Sequence, residues 1–439
     1  MKKYFLNSII IIIIDIFLLI IVFYLTQYVR VELNTTSIPV FDEYSLKRFS
    51  FVIIITVVIM FYEKVYTLRY DFWQETYRVL KSLFLAYFIV LALLTLQKTS
   101  LEYSRLFITL YFSFAMVLLP VAKRLIKRII YSYLFFKKRV LIIGDASQVT
   151  ILKNEFEKNW YLGMQPSQKN YDMVIISSKS LELKKMSAKI EKYLDDNDEV
   201  YVVPYVTSIN FANSNIMEYS NIRYNTIQIQ NKLLIKRNIW IKNGFDLFVA
   251  FLISPFFLII HAFIAFAIKL DSKGSVFFRQ ERLGKNDEVF LCYKYRTMYE
   301  NSQKLLSEYL KTHPEEVQYY KKFHKYKNDP RITKVGKLLR TTSLDELAQV
   351  INVLKADMSL VGPRPYMLNE SEKLGDNKHF ILKVRPGITG LWQVSGRNNL
   401  TFKERNELEV WYIKNWSLWA DFVILIKTIK VVLAKVGAK

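Results

Sequence analysis

The chain has 439 residues, with Lys and Arg outnumbering Asp and Glu by 62 to 39 for a formal net charge of +23, yet 52% of it is hydrophobic. That composition excludes a disordered or fibrous chain, and the length allows two or three domains with a sizeable core. Because the basic residues flank long apolar runs and no nucleic-acid-binding motif is present, the charge points to anionic lipid headgroups and phosphorylated substrates, not to nucleic acid. The single cysteine, Cys292, excludes an intrachain disulfide and a Cys-based metal site, and fits a reducing, cytosol-facing location.

The first apolar run, Ile9 to Leu25, follows Lys2 and Lys3 and has no small-residue cleavage site after it, so it reads as a retained helix. Runs at Phe49–Tyr62, Leu83–Leu96 and Leu106–Val121 complete a predicted four-helix transmembrane bundle within residues 1–130. Lys and Arg in the flanks give the orientation. With the N-terminus inside, Lys64, Arg69, Arg78 and Lys81 fall in a cytosolic loop, and Lys123, Arg124, Lys127, Arg128, Lys137, Lys138 and Arg139 follow the fourth helix. The outer loops hold only Arg30, Lys47, Arg48, Lys98 and Arg105. Everything after residue 122 then begins in the cytosol.

Residues 138–235 read as a small Rossmann-like α/β domain. Arg139–Gly144 has a buried-strand pattern ending in glycine, Ser147–Lys158 looks helical, and Met173–Ile176 and Val200–Val203 are strand-like around a charged helical stretch, Leu181–Leu194. Dinucleotide binding needs a glycine-rich turn for backbone to approach a pyrophosphate. Only Gly144 and Gly163 occur between residues 139 and 235, so the fingerprint is absent and a structural or regulatory module is expected.

Nine of the twelve glycines lie between Gly244 and Gly396, which points the chemistry to the last third. Ser343-Leu-Asp-Glu346 fits a helix capping box, with Asp345 in the first turn, where dipole and free N–H groups favour an ionised carboxylate. Arg340 lies five residues before it. Arg364 is held between Pro363 and Pro365, a stiff backbone suited to a preorganised phosphate contact, and Arg385-Pro-Gly387 repeats the device. Lys294 and Arg296 sit on an expected strand, Val289–Tyr295, and alternate to one side. Phosphoryl transfer needs phosphate charge neutralised and a nucleophile in line. An ionised, positioned carboxylate can serve, through a covalent intermediate. Asp345 is the candidate nucleophile, and Glu346 would help hold magnesium, which binds a carboxylate or two plus phosphate oxygens.

From Lys236 onward the residues resemble, in order, the bacterial sugar transferases, monotopic polyprenyl-phosphate hexose-1-phosphate transferases. The resemblance rests on Asn243-Gly-Phe-Asp246, Ser254-Pro255, Phe278-Arg-Gln-Glu-Arg-Leu-Gly284, Lys294-Tyr-Arg-Thr-Met298, Asp329-Pro-Arg-Ile-Thr333 and Leu339-Arg-Thr-Thr-Ser-Leu-Asp-Glu-Leu347. It continues through Asp357-Met-Ser-Leu-Val-Gly-Pro-Arg-Pro365 and Arg385-Pro-Gly-Ile-Thr-Gly-Leu-Trp-Gln-Val-Ser-Gly396. The family resemblance implies a catalytic domain over 236–439, an Asp345–Glu346 dyad that acts on the substrate and holds Mg2+, and substrate phosphates met by Lys294, Arg340, Arg364 and Arg385. It also implies transfer of a hexose-1-phosphate from a UDP-sugar to undecaprenyl phosphate with release of UMP, starting capsule, exopolysaccharide or O-antigen units. The anchor and α/β segment look like the large subtype, which suggests a homodimer. Glu409 departs from the pattern, which has Asp ahead of the Trp411–Tyr412 pair.

Residues 243–270 are expected to enter the membrane and return, turning at Ser254-Pro255, since a crossing would place the basic catalytic part outside. The fold class is therefore an α/β membrane protein: a four-helix transmembrane bundle, a Rossmann-like domain, and a monotopic catalytic domain with a re-entrant membrane helix. His261 reads as a packed histidine, Glu300–Lys327 as a polar helical insertion broken by Pro314, and Trp411–Leu433 as a helix in the headgroup region or a packed amphipathic one. Two rivals remain. A sugar-nucleotide dehydratase or epimerase needs a nicotinamide fingerprint and a Tyr-x-x-x-Lys pair, and the only such pairs, Tyr77/Lys81 and Tyr133/Lys137, flank membrane helices. A non-catalytic scaffold for glycosyltransferases would leave Asp345 dispensable.

Overall fold

The computed structural model describes residues 2–32, 45–96, 105–179, 183–194, 200–204, 214–219, 224–318, 326, 328–396 and 400–433. Lys98 and part of the Glu300–Lys327 stretch lie outside them. Two compact units emerge, Met1–Tyr205 and Val206–Lys439.

The first unit opens with four apolar helices, α1 (Lys2–Glu32), α2 (Leu46–Tyr62), α3 (Phe72–Leu96) and α4 (Arg105–Ile130). Of these, α1, α3 and α4 are long and apolar enough to cross a bilayer, and α2, at 17 residues, is slightly shorter. Phe23, Phe49, Phe107 and Tyr111 interlock at their centre, with Phe49 and Phe107 edge to face at 5.5 Å. Charged side chains inside the bundle pair with one another. Lys123 Nζ meets Asp15 Oδ2 at 2.6 Å and Glu75 Oε1 at 3.5 Å, and Lys127 pairs with Glu75. All four are buried, so each charge has a partner where water is excluded.

Strands β1 (Lys138–Ile143), β2 (Met164–Pro166), β3 (Met173–Ser177) and β4 (Val200–Val203) form an all-parallel sheet in the order β2-β1-β3-β4. Helices α5 (Ala146–Lys158) and α6 (Leu183–Leu194) accompany it, with Asp145 capping α5 through the N–H groups of Ser147 and Gln148. Each expected strand and helix of this segment is present. The short β2 was not legible.

The second unit begins with a hairpin, β5 (Asn215–Tyr219) and β6 (Tyr224–Gln228), and then the 36-residue helix α7 (Lys236–Asp271). At the expected break the chain does not leave the helical conformation: α7 runs as one helix with Pro255 inside it. Proline cannot donate to the carbonyl four residues back, which is that of Phe251. The Ser254 hydroxyl donates to that carbonyl at 2.7 Å instead, so the helix continues without an orphaned acceptor. A stripe of Lys242, Asp246, Ala250, Phe257, Ile264 and Ile268 is buried against the rest of the unit. The remaining faces expose Trp240, Phe248, Phe251, Phe256, Phe263 and Phe266.

Antiparallel strands β7 (Phe277–Leu283) and β8 (Val289–Tyr295) follow, and the short parallel pair β9 (Ser359–Val361) and β10 (Gly387–Thr389) lies deeper in the unit. Glycine is forced where the latter two meet, since a Cβ on Gly387 would stand 2.1 Å from the Gly362 nitrogen. His261 is packed as expected, stacked on Phe277 and hydrogen-bonded to the Tyr295 hydroxyl at 2.9 Å. The insertion contains a helix, Ser302–Thr312, that stops just before Pro314. The tail is two helices, Phe402–Asn415 and Leu418–Leu433, the second anchored by fully buried Asp421. Asp421 takes Lys242 Nζ at 3.0 Å, Tyr412 OH at 2.6 Å and Trp416 Nε1 at 3.0 Å.

Candidate active site

A helix over Lys334–Thr342 leads into the dyad, and Ser343 ends it in the left-handed conformation (φ 56°) before a six-residue 3-10 turn, Leu344–Gln349. The capping box expected at Ser343 is not formed. With its backbone left-handed, the Ser343 side chain makes no cap, and Glu346 turns away to accept from Lys294 Nζ at 2.7 Å. Asp345 still stands in the first turn, yet burial, reinforced by the Glu346 charge, raises its pKa above the ordinary carboxylate value. Lys294 and Arg340 pull the other way without overcoming it. The expectation that dipole and free N–H groups would dominate is thus corrected: desolvation of a carboxylate beside a second carboxylate wins.

A cleft of about 180 Å³ opens beside the dyad, lined by Lys294, Glu346 and Arg364 together with Arg282, Gln349, Trp392 and Gln393. The structure therefore gathers Lys294, Glu346 and Arg364 as the sequence suggested, with Arg340 within electrostatic reach of Asp345. Arg340 donates from Nε to Thr297 Oγ1 at 2.9 Å, which fixes its side chain against the Lys294-Tyr-Arg-Thr-Met298 segment. Two basic candidates go elsewhere. Arg385 reaches Asn243 Oδ1 at 3.2 Å and lines a different cavity. Arg296 lies beyond the end of β8 and clamps the carbonyls of Ser272 and Lys273 where the chain leaves α7, both at 2.8 Å. Gly274 (φ 121°) is required there, because a Cβ would fall 1.9 Å from Arg296 Nη1.

Arg282 was missed by sequence reasoning, although it stands in the quoted Phe278–Gly284 motif. It is 5% exposed, holds the Pro365 carbonyl at 3.2 Å and the Gln280 side chain at 2.7 Å, and its pKa is lowered by burial and by the neighbouring Arg364 charge. Two guanidinium groups thus face one cleft, an arrangement that favours a polyanion. Glu409 supports this wall from behind. Its Oε1 accepts the Arg364 backbone N–H at 2.7 Å, and its Oε2 takes the Tyr366 hydroxyl at 2.5 Å. Burial raises its pKa to about 7.

Among the described residues no group of three or more His, Cys, Asp or Glu side chains could cage a metal. The adjacent Asp345 and Glu346 carboxylates fit the other mode, in which a hard cation takes one or two protein carboxylates and completes its shell with substrate phosphates and water.

The sequence also has known relatives. The family profile described as bacterial sugar transferase matches residues 237–435. An uncharacterized sugar transferase of Haemophilus influenzae is 34% identical over 404 residues, covering 85% of each chain. The chain belongs to the bacterial sugar transferase family. An undecaprenyl-phosphate galactose phosphotransferase of Salmonella typhimurium is 32% identical over 402 residues, 85% of this chain and 84% of that one. The exopolysaccharide production protein ExoY of Sinorhizobium fredii is 41% identical over 201 residues, 45% of this chain but 87% of that one. Membership makes this sugar transferase an enzyme and sets aside the dehydratase and scaffold readings.

Proposed function

We propose that this sugar transferase moves a hexose-1-phosphate from a UDP-sugar to undecaprenyl phosphate, initiating a capsule, exopolysaccharide or O-antigen repeat unit. The observation that carries the reading is one cleft in which Lys294, Arg282 and Arg364 face Glu346, next to the partly buried Asp345 in sequence, on a unit that also bears the bare apolar helix α7. A carboxylate dyad under three cations suits a pyrophosphate diester, and an exposed apolar helix suits a lipid acceptor. The names of the Salmonella relative and of the exopolysaccharide protein point the same way.

In this mechanism Asp345 attacks the phosphorus bonded to the sugar. The bond from that phosphorus to the oxygen of UMP breaks, UMP leaves, and the phosphosugar stays as an acyl phosphate on Asp345. An oxygen of undecaprenyl phosphate then attacks the same phosphorus, and the bond to the Asp345 oxygen breaks. Arg364 and Arg282 neutralise the diphosphate, and Lys294 holds Glu346 in place. Arg340 favours the ionised, nucleophilic form of Asp345. Magnesium bound by Asp345 and Glu346 would supply charge neutralisation on the phosphates.

The same reading makes α7 re-entrant, bent at Pro255, since both of its halves pack on the same unit: Ala250 with Val361 and Tyr412, and Ile264 and Ile268 with Tyr295 and Leu339. It places residues 236–439 as a cytosolic catalytic domain at the inner membrane, behind the anchor of residues 1–130 and a Rossmann-like domain of 138–235. Resemblance to the large subtype extends it to a homodimer. The test is a panel of radiolabelled UDP-sugars incubated with membranes and undecaprenyl phosphate. Transfer of label to lipid with release of UMP from one donor is expected, and no transfer from any UDP-sugar overturns the proposal.

A further inference from the structure

A second, smaller cleft lies at the N-terminal end of α7. It holds about 30 Å³, against about 180 Å³ beside the dyad. The two clefts share no lining residue and sit at opposite ends of one segment, with Ser359 and Val361 at this one and Arg364 and Pro365 at the other. Three cations converge here. Arg385 is held toward α7 by the neutral acceptor Asn243, at 3.2 Å, and Lys285 and Lys383 approach from two loops. Among the described residues none of the three has a carboxylate partner in the structure, whereas Lys242 in the same wall is already matched by Asp246 at 2.8 Å and Asp421 at 3.0 Å.

A solvated lysine needs no partner, so the charges alone would carry nothing. What decides is where they gather. Leu233 and Val384 make part of the cleft apolar, and α7 continues from it with Trp240, Phe248 and Phe251 exposed by 79%, 66% and 74%. That apolar surface calls for acyl chains, and a basic recess at its end lies where a lipid presents its phosphate. An excess of three positive charges favours a net anionic headgroup over a zwitterionic one, whose own ammonium would be repelled.

We infer that Lys285, Lys383 and Arg385 form a binding site for the phosphate of an anionic membrane lipid, separate from the catalytic cleft, which seats the N-terminal end of α7 at the bilayer surface. The full-length protein in mixed vesicles of phosphatidylglycerol and phosphatidylcholine, doped with a photoactivatable phosphatidylglycerol, tests this. Mass spectrometry should find crosslinks on peptides containing Lys285 and Lys383–Arg385. Each cation removed in Lys285→Gln, Lys383→Gln and Arg385→Gln should lower that yield about fivefold at low salt. The charge-preserving pair Lys285→Arg/Lys383→Arg should keep it, which separates loss of charge from loss of fold. Unchanged yield in the triple Gln variant overturns the site. Equal labelling by a phosphatidylcholine probe overturns the preference for anionic lipid. Complete displacement by millimolar inorganic phosphate makes it a free-phosphate site and overturns the lipid assignment.

Discussion

Glu409 Oε1 accepts the backbone N–H of Arg364 at 2.7 Å, joining residues 45 positions apart and fixing the loop that carries one of the two cleft arginines. The Glu409 side chain is long enough to reach both this N–H and the Tyr366 hydroxyl. Burial raises its pKa from 4.5 to about 7, so its proton is bound more tightly in the folded chain than in the unfolded one. The penalty for ionising it is absent below the unfolded value, grows as pH rises through the interval and is complete above the folded value. Glu409→Gln keeps an acceptor for Arg364 and has no charge to bury. Its melting temperature should gain on wild type as pH goes from 5 to 8, by a difference worth about 3 kcal/mol at most. Glu409→Ala should lose activity about tenfold or more through Arg364. A wild-type protein that gains on Glu409→Gln with rising pH would contradict the burial argument.

Asp345→Asn removes the proposed nucleophile and leaves the volume nearly unchanged. Turnover should fall at least about a thousandfold, with the melting temperature little changed or raised, since Asp345 is a carboxylate whose ionisation the fold opposes. Wild type incubated with donor alone should yield a phosphosugar adduct on the peptide containing Asp345. Near-normal turnover in Asp345→Asn would end the assignment.

The exopolysaccharide relative aligns over 87% of its own length with 45% of this chain, so the catalytic part is expected to work alone. The boundary matters, however. Leu233 is 4% exposed and packs with Ala250, Val361 and Tyr412, although it precedes Lys236, where the family motifs start. A chain beginning at Asn231 should therefore be more stable than one beginning at Lys236 by about 2–3 kcal/mol, the cost of emptying a leucine site. Both should retain transfer in detergent, read as radiolabel moved to lipid. Inactivity of the folded longer chain would show that the first 230 residues contribute to the site.

What the sequence made legible follows the range of the forces involved. Four apolar helices, the α/β alternation and the order of the motifs are local patterns, and they were readable. Lys294, Glu346 and Arg364, which the structure brings to one cleft, could be picked out because each sits in a motif whose chemistry is visible one segment at a time. Pairings across the chain could not. Asp15 with Lys123 spans 108 residues, and it gives a buried charge in the first apolar run its partner. Arg282 looked like any strand arginine until the fold laid it under Pro365, and Arg385 looked like a neighbour of the dyad until the crossing of Gly362 and Gly387 carried it to another cavity. The capping box failed for a local reason that pattern does not carry, the left-handed backbone of Ser343.

The last prediction concerns α7. At 36 residues and a mean hydropathy of 2.5 over its most apolar window, it is long and apolar enough to cross a bilayer. At about 1.5 Å per residue it would measure roughly 54 Å, well over a hydrocarbon core of about 30 Å. A spanning helix would send its C-terminal half away from the unit that packs its N-terminal half. Instead Lys242 and Asp246 are tied to Asp421 and Ser359, while His261, Ile264 and Ile268 lie against β7, β8 and the helix leading to the dyad. The buried stripe therefore ties both halves to one unit, and the exposed aromatic face is what remains for lipid. On a Cys292→Ser background, Arg237→Cys and Lys273→Cys place a thiol at an exposed site near each end of α7 without disturbing that stripe. In intact cells both should be shielded from an impermeant maleimide and both should react once the membrane is opened. Ready labelling of Lys273→Cys from outside, with Arg237→Cys protected, would mean that α7 crosses the bilayer and would put Asp345 on the wrong side for a cytosolic nucleotide sugar.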